Sequence, residues 1–320
     1  MKSPLHGRDI ISVKDLSAED MWSLFELTDR LQAVSPRQRR ALGEGKIAAL
    51  MFLEPSTRTK LSFEAAVATI GASWIGFDEP QTTSLAKGET LHDTVKVLEG
   101  YADVIVMRHP MEGASRYASI VSEKPVINAG SGTEEHPTQA LLDLYTIWKL
   151  KGRLDGLTIG ILGDLKYSRT VPSLLYALVK MQGHLRIRLI SPPSLRLRRE
   201  VFEDISNRLD IRELRELKEC LPELDVLYVT RIQRERFPDP NEYEKVRGSY
   251  RVDLGSLEGA KSDLIILHPL PKTDEISPEV DRTPFACYFR QAHYGVWLRA
   301  ALLALILNDE IVLDAVQKVE

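Results

Sequence analysis

Short apolar runs alternate with segments of helical periodicity along most of the chain. The helical segments carry apolar residues three and four positions apart, as Phe63, Ala66, Val67 and Ile70 do, which places them on one helical face. Strands that alternate with helices in this way form parallel sheets covered by helices. The pattern predicts a buried strand at 46–53 and further strands at 73–77, 104–107, 126–128, 157–162, 185–190, 225–230 and 264–267.

The strand–helix pattern breaks once, over residues 136–156, and separates two similar halves. A helix is predicted at about 137–150, followed by a turn-rich stretch at 152–156. A last apolar helix is predicted over 285–307, and its composition requires burial. We therefore expect an α/β fold with two doubly wound domains, each a parallel sheet flanked by helices.

Composition narrows the class of protein. With 320 residues, of which 43% are hydrophobic and 28% charged, the chain is long enough for two globular domains. The net charge of −4 argues against general nucleic-acid binding, so we interpret the basic stretch at 36–40 as solvated surface. Cys220 and Cys287 lie far apart, no signal segment is recognisable, and the apolar run at 300–307 is too short to span a bilayer. We expect a soluble cytoplasmic protein with no membrane or nucleic-acid partner.

The turn after the first predicted strand is a candidate for chemistry. Residues 56–59 read Ser-Thr-Arg-Thr and lie between a buried strand and an amphipathic helix. In that geometry several backbone N–H groups point at one spot, and three hydroxyl groups and the guanidinium of Arg58 add donors suited to a phosphate. The alternative is an ordinary helix start, with Ser56 as the N-cap residue and Arg58 as a surface charge. These four residues do not decide between the two.

Polar residues also follow other predicted strands. Arg108 follows the strand at 104–107, Arg169 lies in the turn after 157–162, and Arg231 and Gln233 follow 225–230. Ligands of open parallel sheets bind outside the carboxyl ends of the strands, so arginines at these places are more informative than arginines within helices. After the last strand, the two prolines of residues 268–271 make a rigid turn whose carbonyl groups can be aimed at a ligand.

A histidine and a glutamine mark the start of the helix between the two halves. Pro137 suits a first helical turn, which places His136 and Gln139 at the helix N-terminus. The helix dipole there favours a neutral imidazole over imidazolium. A capping histidine without chemistry is an equally good interpretation. Gly160 and Gly163 do not complete a dinucleotide fingerprint, so no nicotinamide cofactor is expected.

The stretch at 81–88 has polar side chains, no periodicity and a terminal glycine. Such a loop is expected to be exposed and mobile. Ser84 and Lys87 could close over an anion, although an ordinary surface loop is the favoured interpretation from these residues alone.

Seven motifs follow one another along the chain. They are Ser-Thr-Arg-Thr at 56–59, Ser-Leu-Ala-Lys-Gly-Glu-Thr at 84–90, Val-Met-Arg-His-Pro at 106–110, His-Pro-Thr-Gln at 136–139, Gly-Asp-Leu-Lys-Tyr-Ser-Arg-Thr at 163–170, Thr-Arg-Ile-Gln at 230–233 and His-Pro-Leu-Pro at 268–271. In this order and spacing the chain resembles the aspartate/ornithine carbamoyltransferase family, and the resemblance runs from the first helix to about residue 308. Each motif alone is weak evidence, but seven in the family's order are strong.

The resemblance implies a domain division and a role for each motif. Residues 1–135 and 291–320 would form a carbamoyl phosphate-binding domain, to which the C-terminal helix returns, and 136–290 an aspartate-binding domain, with the helix at about 137–150 bridging them. The residues implied in carbamoyl phosphate binding are Ser56, Thr57, Arg58, Thr59, Ser84, Arg108, His136, Gln139, Leu270 and Pro271. Those implied in L-aspartate binding are Lys87, Arg169, Arg231 and Gln233. Those implied in catalysis are Arg58, Thr59, Lys87, Arg108 and His136.

The implied reaction transfers the carbamoyl group of carbamoyl phosphate to the α-amine of L-aspartate, giving N-carbamoyl-L-aspartate for de novo pyrimidine biosynthesis. It implies no cofactor and no metal ion. The leaving phosphate is itself basic and can accept the amine proton, so no protein base is required. The alternative acceptor in the family is L-ornithine, whose enzymes typically carry a cysteine in the turn that corresponds to 268–271. That turn has no cysteine here, and Arg231 and Gln233 suit a dicarboxylate. Aspartate is therefore the favoured acceptor.

The resemblance also implies a homotrimer in which Ser84 and Lys87 reach a neighbouring subunit's site. A separate regulatory chain with allosteric control is left open, because no diagnostic motif marks its surface. The chain departs from the family pattern at Tyr294, where an asparagine is usual, which puts contacts near the last helix start in doubt. Pro172, where a histidine is common, is interpreted as a variation of a helix start.

Overall fold

The structure, a computed structural model, describes residues 1–78, 84–181, 183–234, 237 and 239–313. These residues form two compact units. One comprises Met1–Leu141 and the chain from Tyr294 onward, and the other comprises Leu142–His293. Each unit holds one sheet whose paired strands are all parallel over the described ranges. The prediction of an α/β fold with two helix-flanked parallel sheets is confirmed.

The first unit is organised around a four-stranded sheet. Its strands are β1 (Ile47–Phe52), β2 (Ser73–Phe77), β3 (Val104–His109) and β4 (Val126–Ser131). The helices that accompany them are α1 (Ala18–Ala33), α2 (Pro36–Arg40), α3 (Thr57–Ile70), α4 (Leu91–Glu99) and α5 (Ala114–Val121). The strand order is β2-β1-β3-β4, so the sheet extends from β1 on both sides.

Burial and capping account for these elements. β1, β3 and β4 are buried almost throughout, as strands of a parallel sheet covered on both faces are. Met51, Ile105 and Val126 belong to one apolar cluster of this unit. α1 begins with a capping box formed by Ser17 and Asp20. β2, at the edge of the sheet, is largely exposed.

The second unit contains a five-stranded sheet with β5 at its centre. Its strands are β5 (Thr158–Leu162), β6 (Arg186–Ile190), β7 (Asp210–Leu214), β8 (Val226–Val229) and β9 (Ile265–Leu267). Its own helices are α7 (Thr170–Lys180), α8 (Arg199–Ile205) and α9 (Pro240–Val246). The strand order is β7-β6-β5-β8-β9. Two helices belong to both units along the chain, α6 (Pro137–Lys151) and α10 (Tyr288–Leu307).

The helix predicted over 285–307 begins three residues later than expected, at Tyr288. The backbone before it pairs with β9 instead, because the Ile266 N–H donates to the Phe285 carbonyl at 2.8 Å and the Cys287 N–H donates to the Ile266 carbonyl at 3.0 Å. An apolar sequence suits both environments, so hydropathy does not locate the helix start. No helix in the described part of the chain is long and apolar enough to cross a membrane.

Each sheet has one place where the strand order reverses, between β1 and β3 in the first unit and between β5 and β8 in the second. The connections from the two central strands leave toward opposite sides there, which opens a crevice at their carboxyl ends. Ligands of doubly wound sheets bind in that crevice. These two edges are therefore where functional side chains are expected.

Candidate active site

The turn after β1 leads directly into α3. Ser56 precedes the helix, and its carbonyl accepts the first helical hydrogen bond from the Lys60 N–H at 3.1 Å. Ser56 is the N-cap residue of α3, but its hydroxyl makes no capping hydrogen bond. No acidic residue occupies the first turn, where Thr57 and Arg58 are exposed and Thr59 is buried. The turn thus presents hydroxyl groups, a guanidinium and the positive end of the helix dipole together.

Arg108 lies beside this turn, at the carboxyl end of β3. Its backbone is paired with Phe52, and its carbonyl accepts a hydrogen bond from the Leu53 N–H at 2.8 Å. The side chain is only 8% exposed. One guanidinium nitrogen donates to the Ala129 carbonyl at 3.2 Å, and another lies 3.1 Å from a carboxylate oxygen of Glu54. These contacts hold the guanidinium in place before any ligand arrives.

His136 and Gln139 lie at the start of α6, and both are buried. The His136 carbonyl accepts hydrogen bonds from the N–H groups of Gln139 and Ala140, at 3.0 and 3.2 Å, which forms the first helical turn. The residue before it, Glu135, is anchored because its buried carboxylate accepts from the Ser12 hydroxyl and from the Val13 N–H at 3.2 Å. The N-terminal segment therefore fixes the loop that delivers His136.

Two turns of the second unit carry Arg169 and Arg231. They leave β5 and β8 and are held together because the Thr230 hydroxyl donates to the Leu162 carbonyl at 3.2 Å. Gly163 has a φ of +119°, and a Cβ atom there would lie 2.2 Å from the Thr230 carbonyl oxygen, so only glycine fits. Arg169 is buried, and Arg231 and Gln233 are half-buried.

The turn at 268–271 is organised by His268. The Leu270–Pro271 peptide bond is cis, and Leu270 has a φ of +58°, a backbone angle that residues other than glycine rarely adopt. His268 Nδ1 accepts a hydrogen bond from the Leu270 N–H at 2.8 Å, so the ring proton is on Nε2, which donates to Glu275 at 2.7 Å. Thr273 also donates to Glu275 through its N–H and its hydroxyl, at 3.1 and 2.9 Å. The carbonyl groups of this turn are thus fixed in direction.

Within the buried pair, His268 is neutral and Glu275 is charged. Burial lowers the pKa of His268, which keeps the imidazole neutral. Burial alone would raise the pKa of Glu275, but the hydrogen bonds from His268 and the nearby backbone outweigh it and lower that pKa to about 2. A neutral donor therefore faces a charged carboxylate.

Replacing Glu275 by glutamine should alter how stability depends on pH. Because the pKa of Glu275 is about 2 in the folded chain against 4.5 ordinarily, its stabilisation is complete above pH 4.5 and is lost as the pH falls toward 2. The difference in thermal midpoint between the parent and Glu275→Gln should be largest near neutral pH and shrink below pH 4.5. The exposed Glu200→Gln serves as control, with no such trend expected. A Glu275→Gln difference that is constant from pH 7 to pH 3 would contradict this assignment.

A second buried network ties the 268–271 turn to α6 and α10. Gln291, on α10, accepts a hydrogen bond from the His268 N–H at 2.9 Å and donates to Asp143, on α6, at 2.6 Å. The other carboxylate oxygen of Asp143 accepts from the Tyr228 hydroxyl at 2.8 Å. All of these side chains are buried. Sequence reasoning did not find them, because their partners are far apart along the chain.

Ser84 and Lys87 do not directly follow any strand of the described residues. They begin and end a short 3-10 helix, which precedes α4. Lys87 is exposed. The loop predicted at 81–88 falls partly outside the described residues, since 79–83 are not described.

The predicted site residues lie at the carboxyl edges of the two sheets, apart from Ser84 and Lys87 in the turn before α4. The residues at or just after the ends of β1, β3, β5 and β8 flank the two strand-order reversals, whereas His136 and Gln139 follow β4, and Leu270 and Pro271 follow β9. The edge of the first unit carries Ser56, Thr57, Arg58, Thr59, Arg108, His136 and Gln139. The edge of the second carries Arg169, Arg231, Gln233, Leu270 and Pro271. Sequence reasoning missed Glu54, although its place between a buried strand and the Ser-Thr-Arg-Thr turn was a usable signal.

Two sequence profiles of one family cover this chain. The profile described as aspartate/ornithine carbamoyltransferase, carbamoyl-P binding domain, matches residues 8–149. The profile described as aspartate/ornithine carbamoyltransferase, Asp/Orn binding domain, matches residues 155–306. The chain therefore belongs to the aspartate/ornithine carbamoyltransferase family, as its motifs predict.

Within the family, the chain is similar to catalytic subunits of aspartate carbamoyltransferases. The chain is 56% identical over 308 residues to the aspartate carbamoyltransferase catalytic subunit of Hyperthermus butylicus, covering 95% of this chain and 98% of that one. It is 53% identical over 304 residues to the corresponding subunit of Cenarchaeum symbiosum, with the same coverage.

Solved structures agree with these relatives. The catalytic subunit of M. jannaschii aspartate transcarbamoylase superposes with a TM-score of 0.85 at 47% identity, covering 93% of this chain and 97% of that one. The Trypanosoma cruzi enzyme in complex with carbamoyl phosphate and aspartate superposes with a TM-score of 0.89 at 38% identity, covering 96% and 98%.

Proposed function

We propose that this chain transfers the carbamoyl group of carbamoyl phosphate to the α-amine of L-aspartate, giving N-carbamoyl-L-aspartate and phosphate. The observation that carries the proposal is the presence of arginines at the strand-order reversal of both sheets, one set for each anionic substrate. Relatives at over 50% identity carry the name aspartate carbamoyltransferase catalytic subunit, which supports it. The product would enter pyrimidine synthesis in the cytoplasm.

The first unit would bind the phosphate. The first turn of α3 offers backbone N–H groups, the hydroxyl groups of Ser56, Thr57 and Thr59, and the guanidinium of Arg58. A phosphate dianion at a helix N-terminus gains from the dipole and from charge-assisted hydrogen bonds. This part of the site therefore stabilises the leaving group as well as binding it.

The carbamoyl group would be held by donors and acceptors of opposite kinds. Arg108, Thr59 and His136 would donate to the carbonyl oxygen, and the Gln139 side chain and the carbonyl groups of Leu270 and Pro271 would accept from the NH₂ group. The fixed guanidinium of Arg108 and the fixed turn at 268–271 support these roles, because preorganised groups need no rearrangement during reaction.

The second unit would bind aspartate. Arg169 and Arg231 would each take one carboxylate, with Gln233 beside them, because a guanidinium fork matches a carboxylate in shape and charge. Their separate turns, locked together at Thr230, support a fixed spacing of the two forks. Two fixed cations select a dicarboxylate over ornithine, whose side chain is cationic.

The chemistry is a direct attack. The unprotonated α-amine of aspartate attacks the carbamoyl carbon, and negative charge grows on the carbonyl oxygen, where each donor contributes about 3–4 kcal/mol. The C–O bond to phosphate then breaks, the phosphate leaves with the bonding electron pair, and it accepts the amine proton. No protein nucleophile or base is required. Positioning of two charged substrates supplies most of the remaining acceleration.

A purified chain supplied with carbamoyl phosphate should carbamoylate L-aspartate and not L-ornithine. The measurement is chromatographic detection of each carbamoylated amino acid, with aspartate and ornithine in separate reactions. Ornithine turnover, or turnover of neither, would overturn the proposal. A scaffold protein of the family that lacks chemistry is disfavoured because Arg58, Lys87, Arg108 and His136 are all present.

The active form would be a homotrimer in which Ser84 and Lys87 complete a neighbour's site. The support is their position in the chain, in a turn before α4 rather than at either sheet edge, together with the exposure of Lys87. A lysine that acts across a subunit boundary leaves the monomer incomplete. Ser84 would help bind carbamoyl phosphate, and Lys87 would help bind aspartate and stabilise charge in the transition state.

Mixing two inactive variants tests the shared site. Lys87→Ala and Arg58→Ala trimers, dissociated and reassembled together, should regain activity, because a mixed trimer has one site with both residues intact. Equal amounts and random reassembly should give about a quarter of the parent activity, since three quarters of the trimers are mixed and each has one intact site in three. Each variant reassembled alone is the control. Mixed trimers that form but stay inactive would contradict a shared site.

A further inference from the structure

Arg299 is a buried cation on α10, with only 3% of its surface exposed. Its neighbours along the helix, Leu298, Ala300 and Ala301, are fully buried apolar residues. Burying a guanidinium is costly unless other groups hold it. Its contacts therefore indicate what the charge is used for.

One of those contacts is with α3, the helix that follows the Ser-Thr-Arg-Thr turn. A guanidinium nitrogen of Arg299 donates to the Ser62 hydroxyl at 2.8 Å, and that hydroxyl donates to the Thr59 carbonyl at 2.8 Å. The guanidinium carbon also lies 5.2 Å from the centre of the Phe63 ring, within the range of a cation–π contact. The cation is thus linked through one hydroxyl to Thr59 in the first turn of α3.

Arg299 also contacts α6. A second guanidinium nitrogen lies 3.5 Å from the hydroxyl oxygen of Thr138, at the long end of a hydrogen bond. Thr138 is fully buried in the first turn of α6, between His136 and Gln139. One planar side chain therefore reaches the first turn of one helix and, through Ser62, the first turn of the other.

We propose that Arg299 is a positioning residue that holds the first turns of α3 and α6 in a fixed relation, so that Thr59, His136 and Gln139 converge on carbamoyl phosphate. The inference rests on the proposed function, which assigns these three residues to that substrate. The rigid fork of an arginine can bridge two helices, whereas the single ammonium of a lysine cannot reproduce both contacts. Displacements of about 1 Å in such groups cost about 100-fold in rate.

The test compares Arg299→Met with Arg188→Met. Arg188 is a matched control, since it is also a buried arginine (2% exposed) but lies on β6 and pairs with Glu223 at 2.6 Å. Both variants should lower the thermal midpoint. Only Arg299→Met should raise KM for carbamoyl phosphate and weaken inorganic phosphate binding, by about 10-fold to 100-fold, with KM for aspartate nearly unchanged. Arg299→Lys should recover little of the loss.

Milder variants keep the test decisive if Arg299→Met does not fold. Ser62→Ala removes the link to Thr59 and should weaken phosphate binding several-fold, whereas Ser62→Thr keeps a hydroxyl and should restore it. The positioning role is overturned if phosphate affinity and KM for carbamoyl phosphate stay within twofold in Arg299→Met, or in Ser62→Ala where only that variant folds. Equal shifts in Arg299→Met and Arg188→Met would overturn it as well.

Calorimetric titration with inorganic phosphate separates this inference from the proposed function. The titration requires neither aspartate nor turnover. A parent chain that binds phosphate but carbamoylates no amino acid would overturn the proposed function, while the difference between the Arg299 and Arg188 variants would still report on positioning. A parent chain that turns over normally, with an Arg299→Met that binds phosphate normally and keeps the parent KM for carbamoyl phosphate, would overturn the positioning role alone.

Discussion

Replacing Arg108 with alanine is expected to lower kcat by about 10²–10³-fold, a loss of about 3–4 kcal/mol of transition-state stabilisation. The side chain is buried, and the Ala129 carbonyl and Glu54 hold its guanidinium, at 3.2 and 3.1 Å. A donor fixed in this way acts on the developing oxyanion without reorganisation. Its removal also takes a guanidinium away from the Glu54 carboxylate and from the proposed phosphate site beside it, so KM for carbamoyl phosphate should rise too.

Two further variants show whether the loss of kcat is specific to the Arg108 guanidinium. Arg108→Lys should recover little activity, because a lysine keeps the charge but cannot contact Ala129, Glu54 and the substrate together. Arg116→Ala is the control for loss of an arginine in the same unit, since Arg116 is half-exposed and pairs with Asp15 at 2.9 Å. Its kcat should remain within twofold of the parent. An Arg108→Ala variant that keeps more than a tenth of the parent kcat would contradict the assigned role.

Replacing Arg231 with alanine should act on the other substrate. We expect KM for aspartate to rise about 100-fold at saturating carbamoyl phosphate, since a charge-assisted bond to a carboxylate is worth about 1.5–3 kcal/mol. Inorganic phosphate binding, measured by calorimetry, should be unchanged because its donors lie in the first unit. Steady-state kinetics with each substrate varied in turn provides the first of these values.

The matched control for Arg231 is Arg199→Ala, an arginine of the same unit whose side chain is 89% exposed and pairs with Glu203. A surface ion pair of this kind contributes little, and KM for aspartate should not change. If Arg231→Ala leaves that KM within threefold, or weakens phosphate binding as strongly as it weakens aspartate binding, the division of substrates between the two units is wrong.

The sequence predicted the apolar strands, including the exposed edge strand β2 and the short β9, and missed β7, whose residues are mostly polar. β1 and β5 are recognisable because nearly every residue in them is buried. β7, which reads Asp-Ile-Arg-Glu-Leu, is an edge strand with exposed charges, so its pattern does not differ from that of a loop. The start of α10 was misplaced because residues 285–287 extend the edge of β9 instead.

For the candidate site as well, local sequence predicts the position of some residues and not of others. The positions of Arg58, Arg108 and Arg231 at the sheet edges could be predicted from local sequence, because Arg58 and Arg231 follow a strand within a few residues and Arg108 lies near the end of β3. The side chains that hold the site residues in place could not be predicted from the sequence. Arg299 contacts Ser62 across 237 residues of chain, and only the folded structure reveals such a pair.

Exchange of labelled inorganic phosphate into carbamoyl phosphate tests the central claim, direct transfer between the two substrates, most directly. The purified chain is incubated with carbamoyl phosphate and labelled phosphate, with and without L-aspartate. Direct transfer predicts no label in carbamoyl phosphate without aspartate, and one phosphate released per N-carbamoyl-L-aspartate when aspartate is present. Label incorporation without aspartate that exceeds the incorporation in a reaction without the protein would indicate a carbamoylated protein group, and would contradict the account.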